Sequence, residues 1–442
     1  MKRRDFLKTA IIGTGAAALG TAEANARKQK AFQDDGQYVT EPEKQIPILA
    51  HTDVLVVGGG PAGTAAAIAA SRGGAETYLV ERYNHLGGLW TGGLVLPLLS
   101  THGLSPKGET KQVIWGIGAE IVERLRDMKM VINERNPLVD PEATKYLLER
   151  MIEEAGVKMV YHAWATGAVM DGKRVKGIFI ESKSGRQAII AKVVIDCTGD
   201  GDVYAWAGEE FQEIMHRIAL PHRYGGIDKI NPNAPGYKKQ NVGWKTPTPN
   251  TYVKWTGSAA PEPKSSGIDV MNLTRVQLET RRRVWEDFEH IRNTPGYEQV
   301  FLVDTASQLG VRMSRVMEGE YRLTFEDSMT YRSFDDVIGM SGSWTAVPYH
   351  GTNIKANDRP YWQIPYRSLL PKHIEGLLAA GRCFSYDEPL VEDARVIGTC
   401  IVTGQGAGTA AALSISSRTM PRDIDRQQLR RLLKQQNVLL EA

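Results

Sequence analysis

Short apolar, β-branched runs punctuated by glycine clusters set the pattern of this chain. Asp53-Val54-Leu55-Val56-Val57 is the first, and it has the signature of a strand buried on both faces of a parallel sheet. Alanine-rich residues 64–71 then predict a helix, and residues 77–80 a second strand that ends at Glu81. From 159 to 198 short strands alternate around turns at Asp171-Gly172 and Ser184-Gly185. Residues 272–293 predict a helix with Asn272 as cap and a stop before Pro295, followed by a strand at 300–303. An apolar strand at 377–380 closes on Gly381, and a Gly/Ala-rich helix runs from about 399 to 413. Strands alternating with helices in this way predict the α/β class with a parallel sheet.

Composition narrows the picture. With 442 residues, 42% apolar and 24% charged, the chain is globular and long enough for several domains. Net charge is +3, but residues 27–442 carry 50 Lys and Arg against 49 Asp and Glu, which gives no support to a nucleic-acid binder. Cys197, Cys383 and Cys400 lie far apart with no CxxC. That excludes an all-cysteine cluster or four-cysteine zinc site within the chain, and no metal site is expected. Residues 1–26 open R-R-x-F-L-K, continue with an uncharged Gly/Ala-rich stretch and end in A-x-A sites, which resembles a twin-arginine signal peptide. Export machinery of that kind carries folded proteins, so the expected destination is the periplasm. The stretch is too short to span a bilayer and no later run reaches the length of a membrane helix, so no stable span is expected after processing. Residues 27–50 are polar and read as a linker.

The first strand leads directly into Gly58-Gly59-Gly60-Pro61-Ala62-Gly63, a GxGxxG that opens the alanine-rich helix. Gly58 permits the tight turn, Gly60 lets a pyrophosphate approach the backbone, and Gly63 lets helix and strand pack closely. The helix N-terminus offers N–H groups and positive dipole to the phosphates. Glu81, eighteen residues after Gly63, is placed to accept from the adenosine ribose hydroxyls. No second GxGxxG follows a strand; Gly404-Gln405-Gly406 lies inside a predicted helix and is expected to be a packing feature.

Further segments separate FAD from NAD. A glycine-dense loop, Arg82 to Gly93, follows Glu81. Downstream stand I-D-x-T-G-D-G-D at 195–202, G-V-R-x-S-R at 310–315, G-E-Y at 319–321, I-P-Y-R at 364–367, A-G-R-C at 380–383, and R-V-x-x-T-C…G-Q-x-A-G-T-A-A-A at 395–412. In these motifs and their order the sequence resembles the bacterial FAD-dependent oxidoreductase family abbreviated FAD_oxidored, over roughly residues 51–440. The resemblance implies a Rossmann-like FAD-binding domain of glutathione-reductase type, a parallel sheet plus a β-meander, in two parts (51–205 and 360–442) around an inserted α+β substrate or cap domain (206–359). It implies that Gly58, Gly60, Pro61, Ala62 and Gly63 hold the pyrophosphate, that Glu81 holds the ribose with Arg82 beside it, and that Gly87 and Gly88 border the ribityl chain and flavin ring. Ala165 meets adenine through its main chain, Gly199 and Asp200 close over the adenosine side, and Gly381 and Arg382 flank pyrophosphate and ribityl chain. Val396, Ile397 and Thr399 start a helix whose dipole faces the flavin N1–C2=O, where charge accumulates on reduction.

Flavin redox chemistry on carbon needs a hydride path, a group that moves a proton and an anchor for the substrate. Arg312 and Arg315 are candidate anchors, since guanidinium binds carboxylate bidentately; salt bridges to Glu318 or Glu320 are the alternative. Arg367 either lines the cleft or forms a structural pair. Tyr349 and His350, in a Pro/Gly-bounded loop, are candidate proton donor and acceptor, or simply exposed. Tyr386, Asp387 and Glu388 depart from the Ser-Ala-Thr-His-like stretch that many relatives carry after A-G-R-C, and stand as catalytic candidates or as a solvated acidic loop. His85 is either a covalent flavin tether or a surface imidazole. Cys383 and Cys400 are packing residues or flavin-facing thiols; Trp344, Tyr361 and Trp362 are core, or platforms for a sugar.

The expectation is thus an exported FAD enzyme that moves a hydride between FAD and a small polar organic substrate at a C–H next to O or N. Electrons pass to an external carrier (quinone, cytochrome or oxygen). Reduction of an activated double bond, a non-redox flavin lyase or isomerase, and a non-catalytic binding protein are the alternatives.

Overall fold

The computed structural model describes residues 41, 43–255, 259–260, 262 and 264–441. The signal-peptide reading and most of the expected linker therefore lie outside the described residues.

Strand β1 (Ile48–Val57) carries the first apolar run, and Val54 to Val57 are all buried inside the sheet. It begins at Ile48 rather than Asp53, because its first residues run outward along the strand that pairs with it, leaving Ile48 and Leu49 exposed. A pattern keyed to burial does not register such a protruding end. Helix α1 (Pro61–Arg72) follows, with Pro61 in the first turn, where its missing N–H is not needed. Strand β2 (Thr77–Val80) returns parallel to β1, and β3 (Lys158–Val160) extends the sheet beyond it. Then β4 (Trp164–Asp171), β5 (Arg174–Ser182) and β6 (Gly185–Asp196) form the antiparallel meander. Strand β6 serves twice. Its first half pairs with β5, and its later residues pair in parallel with β1 and with the strand Leu377–Ala379. The order is β3-β2-β1-β6-β5-β4, so residues more than 180 positions apart in sequence share one sheet, the mixed α/β fold expected.

The middle of the chain adds a second layer. His222–Gly225, Trp244–Lys245, Tyr252–Lys254 and Phe301–Thr305 make a four-stranded antiparallel sheet. Helix α2 (Val270–Arg292) buries Val276, Thr280, Val284, Phe288 and Ile291, the spacing of one helical face. Asp269, not Asn272, caps it: the Asp269 carboxylate accepts the Asn272 N–H, so Asn272 falls within the first turn.

The inserted layer is smaller than 206–359. Val337–Ser341 pairs with Trp362–Pro365, and Leu323, Phe334, Val337, Ile338 and Met340 join the same apolar core as Trp362 and Ala410. That stretch belongs to the flavin half, since its apolar side chains are buried there.

Helix α3 (Ile397–Ser417) is buried from Ile397 to Ser414. A Cβ at Gly404 or Gly408 would come within 2.1 Å of the carbonyl oxygens of Ala62 and Ala66, so α1 and α3 touch backbone to backbone. This is the packing role expected of the second glycine cluster. Among the described residues no single helix is long and apolar enough to cross a membrane.

Candidate functional site

Three glycines of the first turn meet different surroundings. Gly58 adopts φ +100°, and a Cβ there would lie 2.5 Å from the Cys197 carbonyl oxygen. At Gly63 it would lie 1.7 Å from the Gly58 carbonyl oxygen. At Gly60 nothing stands within 4 Å. The Gly60 backbone therefore borders open space at the N-terminus of α1, and no side chain caps it. Glu81 is buried at the end of β2. Its Oε2 accepts the Gly59 N–H at 2.6 Å and its Oε1 accepts the Tyr83 N–H at 2.8 Å. Each oxygen keeps a lone pair for a further donor. The Arg82 guanidinium stacks over Tyr83 and over Trp164, 4.9 Å from each ring centroid, beside Ala165 on β4.

Gly87 and Gly88 press on the same turn: the Gly87 N–H donates to the Gly59 carbonyl at 2.8 Å, and a Cβ on Gly88 would meet the Gly60 Cα at 3.1 Å. From the distal half of the chain, a Cβ on Gly381 would meet the Ala62 Cβ at 3.0 Å. Arg382 Nη2 donates to Asp200 Oδ1 at 2.7 Å, and Ser314 Oγ donates to the same oxygen at 2.7 Å. Gly199 lies beneath the Arg382 guanidinium. Burial pushes the Asp200 carboxyl up, but Arg382, Ser314 and Arg82 outweigh it and hold it below the usual range. Arg382 Nε is buried with no partner. An orphaned buried donor beside an open glycine turn fits a phosphate-bearing cofactor. Val396 caps α3 in extended conformation without a side-chain hydrogen bond, and the Thr399 hydroxyl donates to the Asp393 carbonyl at 2.8 Å.

The catalytic candidates are dispersed. Tyr386 is fully buried and its hydroxyl donates to the Arg382 carbonyl at 2.6 Å, so its proton is committed to the fold. Asp387 caps the turn Glu388–Leu390 and accepts the Phe325 N–H at 3.1 Å, while Glu388 is exposed, 3.8 Å from Lys264. The Tyr349 hydroxyl donates to Glu326 at 2.9 Å on a surface hairpin, with His350 at its tip. Arg367 forks onto Asp336 at 2.9 and 3.2 Å. Arg315 pairs neither with Glu318 nor with Glu320: its Nη1 donates to Asp202 at 2.9 Å and to the Asp200 carbonyl at 3.0 Å. Tyr386, Asp387, Tyr349, Arg367 and Arg315 each have a partner within the fold, whereas Glu388 and His350 stand on the surface; the candidates do not converge on one point.

Arg312 differs. Its Nη1 donates only to the Arg217 carbonyl, at 3.3 Å, and among the described residues it has no carboxylate partner. Burial, then the Arg395 and Arg217 charges, push its pKa down. Beside it, Glu392 holds both Arg395 and His216, the latter at 2.8 Å to Nε2. The sequence reading missed His216, Arg217 and Arg395 as site residues; no local signal joins His216 to a glutamate 176 positions away. Trp344 braces this loop, its Nε1–H donating to the Glu392 carbonyl at 2.7 Å, whereas Tyr361 and Trp362 are core.

A family model for FAD dependent oxidoreductases matches residues 53–217 and 216–433. The chain belongs to this family. It is an FAD enzyme, and the residues around Gly60, Glu81 and Arg382 are the ones that would hold the cofactor. Two curated relatives are digeranylgeranylglycerophospholipid reductases. That of Methanopyrus kandleri (reductase 2) is 31% identical over 161 residues, 33% of this chain and 37% of the relative. That of Methanocaldococcus jannaschii is 28% identical over 166 residues, 35% of this chain and 40% of the relative. The matched stretch thus spans well under half of either relative. Among solved structures, a geranylgeranyl bacteriochlorophyll reductase-like protein from Thermoplasma acidophilum is 15% identical, covering 87% of this chain and 83% of that one, with a TM-score of 0.44.

In this FAD-dependent oxidoreductase, His85 is buried rather than on the surface. Its Nδ1 lies 3.3 Å from Thr91 Oγ1 and from the Leu86 carbonyl, and its Nε2 3.3 Å from Gln308 Nε2. Burial lowers its pKa, and with both ring nitrogens engaged inside the protein neither is presented for attachment to a flavin. Cys383 and Cys400 are buried, and burial pushes the Cys400 thiol up to about 12, which suits packing rather than chemistry.

Proposed function

We propose that this FAD-dependent oxidoreductase is exported, transfers a hydride at a carbon next to oxygen or nitrogen of a small polar organic substrate, and delivers the electrons to an external carrier. The observation that carries the reading is the Gly60 turn facing open space beside the partnerless buried Nε of Arg382, which supports cofactor docking from both halves of the chain. Bound FAD supplies the two-electron acceptor. The protein's part is to hold and orient: Glu81 receives ribose hydroxyls, Arg382 receives phosphate, and the uncapped start of α3 offers N–H groups where negative charge develops. Oxidation at such a carbon would use FAD as hydride acceptor, with the proton of the adjoining O–H or N–H passing to solvent. A quinone or oxygen, or a cytochrome in two one-electron steps, would then take the two electrons. The twin-arginine-like opening supports export.

The test is an absorption spectrum of protein folded in the cytoplasm, repeated after acid precipitation, then photoreduction and reoxidation by candidate acceptors. Flavin bands that move to the supernatant, and rapid reoxidation by a quinone analogue, are expected. A colourless, folded protein that also refuses added FAD overturns the reading. Reduction of an activated double bond is a second reading, favoured by relatives named as reductases; photoreduced enzyme reoxidised by an enone and not by quinones would establish it.

A further inference from the structure

Around Glu392 the fold gathers more positive charge than it neutralises. Arg312, Arg217 and Arg395 come from three separate chain segments, and His216 approaches from beside Arg217. Glu392 is the one carboxylate placed against Arg312 in this group, and it is already held by His216 at 2.8 Å and by Arg395. Even so the donors are not satisfied. Arg395 Nε and His216 Nδ1 are both enclosed and have no hydrogen-bond partner. Arg312 spends one N–H on a carbonyl at 3.3 Å, a weak contact for a guanidinium, while burial and two neighbouring arginines oppose its charge. Elsewhere in this chain buried arginines find carboxylates: Arg359 with Asp393, Arg382 with Asp200, Arg223 with Asp304. A partly buried cation whose one nearby carboxylate is already taken by two other partners is costly, and proteins retain one where a ligand supplies the missing charge.

The cluster also has an address. Arg395 immediately precedes Val396, the cap of α3, and Arg312 immediately precedes Met313, whose sulfur lies 3.4 Å from the Tyr386 hydroxyl. Tyr386 in turn holds the Arg382 carbonyl at 2.6 Å. The backbone that carries Arg312 is thus linked through Met313 and Tyr386 to the backbone of Arg382.

We infer that the substrate of this enzyme bears an oxyanion group, a carboxylate or a phosphate ester, which Arg312 grips with Arg217 and Arg395 alongside. The inference rests on the FAD reading above for its position relative to the flavin. A two-pronged anion satisfies the fork of a guanidinium in a way water does not, and it relieves the repulsion among the arginines. Glu392, itself held by His216, keeps Arg395 in place.

The experiment titrates the FAD-loaded protein with malonate, methyl phosphate and neutral malonamide, read by calorimetry and by the flavin difference spectrum. Malonate or methyl phosphate should bind and perturb the flavin bands, with the stronger of the two identifying the head group, and malonamide should do neither. Arg312→Gln should weaken binding about tenfold or more, with FAD content unchanged. Arg217→Gln, at an exposed position, should weaken it by about threefold without any folding defect. Arg281→Gln, exposed on α2, should leave it unchanged. Yellow protein that binds neither anion, or binds them equally well after Arg312→Gln and Arg217→Gln, overturns the inference and leaves the flavin reading standing. Colourless protein overturns the flavin reading, and calorimetry with malonate on that same protein still decides the anion site.

Discussion

Arg382 and Asp200 meet at 2.7 Å across a sequence separation of 182 residues, and both are largely enclosed. The pair locks the A-G-R-C turn of the distal half to the loop after β6, so the cofactor site exists only when the two halves close. Removing one partner leaves an uncompensated buried charge, which costs about 3 kcal/mol or more. Arg382→Gln should lower the melting temperature and strip the purified protein of FAD, read by differential scanning fluorimetry and the ratio of flavin to protein absorbance. Because Asp200 is held below its ordinary pKa, its contribution is present above that ordinary value and fades as pH falls through the folded one.

Gly60 and Gly63 should separate binding from folding. Gly60→Ala adds a methyl group to open space, so the protein should fold with an unchanged melting temperature while its FAD affinity falls on the order of tenfold. Gly63→Ala drives a methyl into the Gly58 carbonyl and should yield little folded protein. Equal behaviour of the two variants would show that Gly60 does not border the cofactor.

Asp287 ties α2 to the inserted sheet. It receives the Tyr224 hydroxyl at 2.7 Å and the Lys254 ammonium at 2.7 and 2.8 Å. Burial pushes its carboxyl up, but His222, Lys254 and Tyr224 bring it down to about 2. Its folded pKa is depressed, so this stability is complete above about pH 4 and is lost as pH falls toward 2, amounting to about 2 kcal/mol. Acid titration of urea stability should show that loss in the wild type and little of it in Asp287→Asn.

The cysteines should be silent. All three are free and buried, and their thiols are pushed up by burial. Ellman's reagent should find no reactive thiol in the native protein and three after unfolding in guanidinium; a fast native thiol would reopen Cys400 as a flavin-side group.

Local pattern was enough to read the nucleotide turn. Gly58, Gly60, Gly63 and Glu81 lie within one strand–helix–strand unit, where spacing alone dictates who meets whom. The meander and the glycine packing of α3 were legible for the same reason: turn chemistry and small-residue runs act over a few positions. The outer boundary of the inserted layer was not. Residues 337–341 carry apolar side chains that would suit either layer, and only pairing with 362–365 assigns them to the flavin half. Charged side chains were the least legible. Arg315 chose Asp202, Arg367 chose Asp336, and Arg312 was left without a carboxylate, since ion pairing is settled by which loops arrive together in space. Backbone geometry is a property of neighbours in sequence. Partnership between charges is a property of neighbours in the fold, and that is why FAD binding could be read along the chain, whereas the group of residues around Glu392 emerged only once the chain was closed.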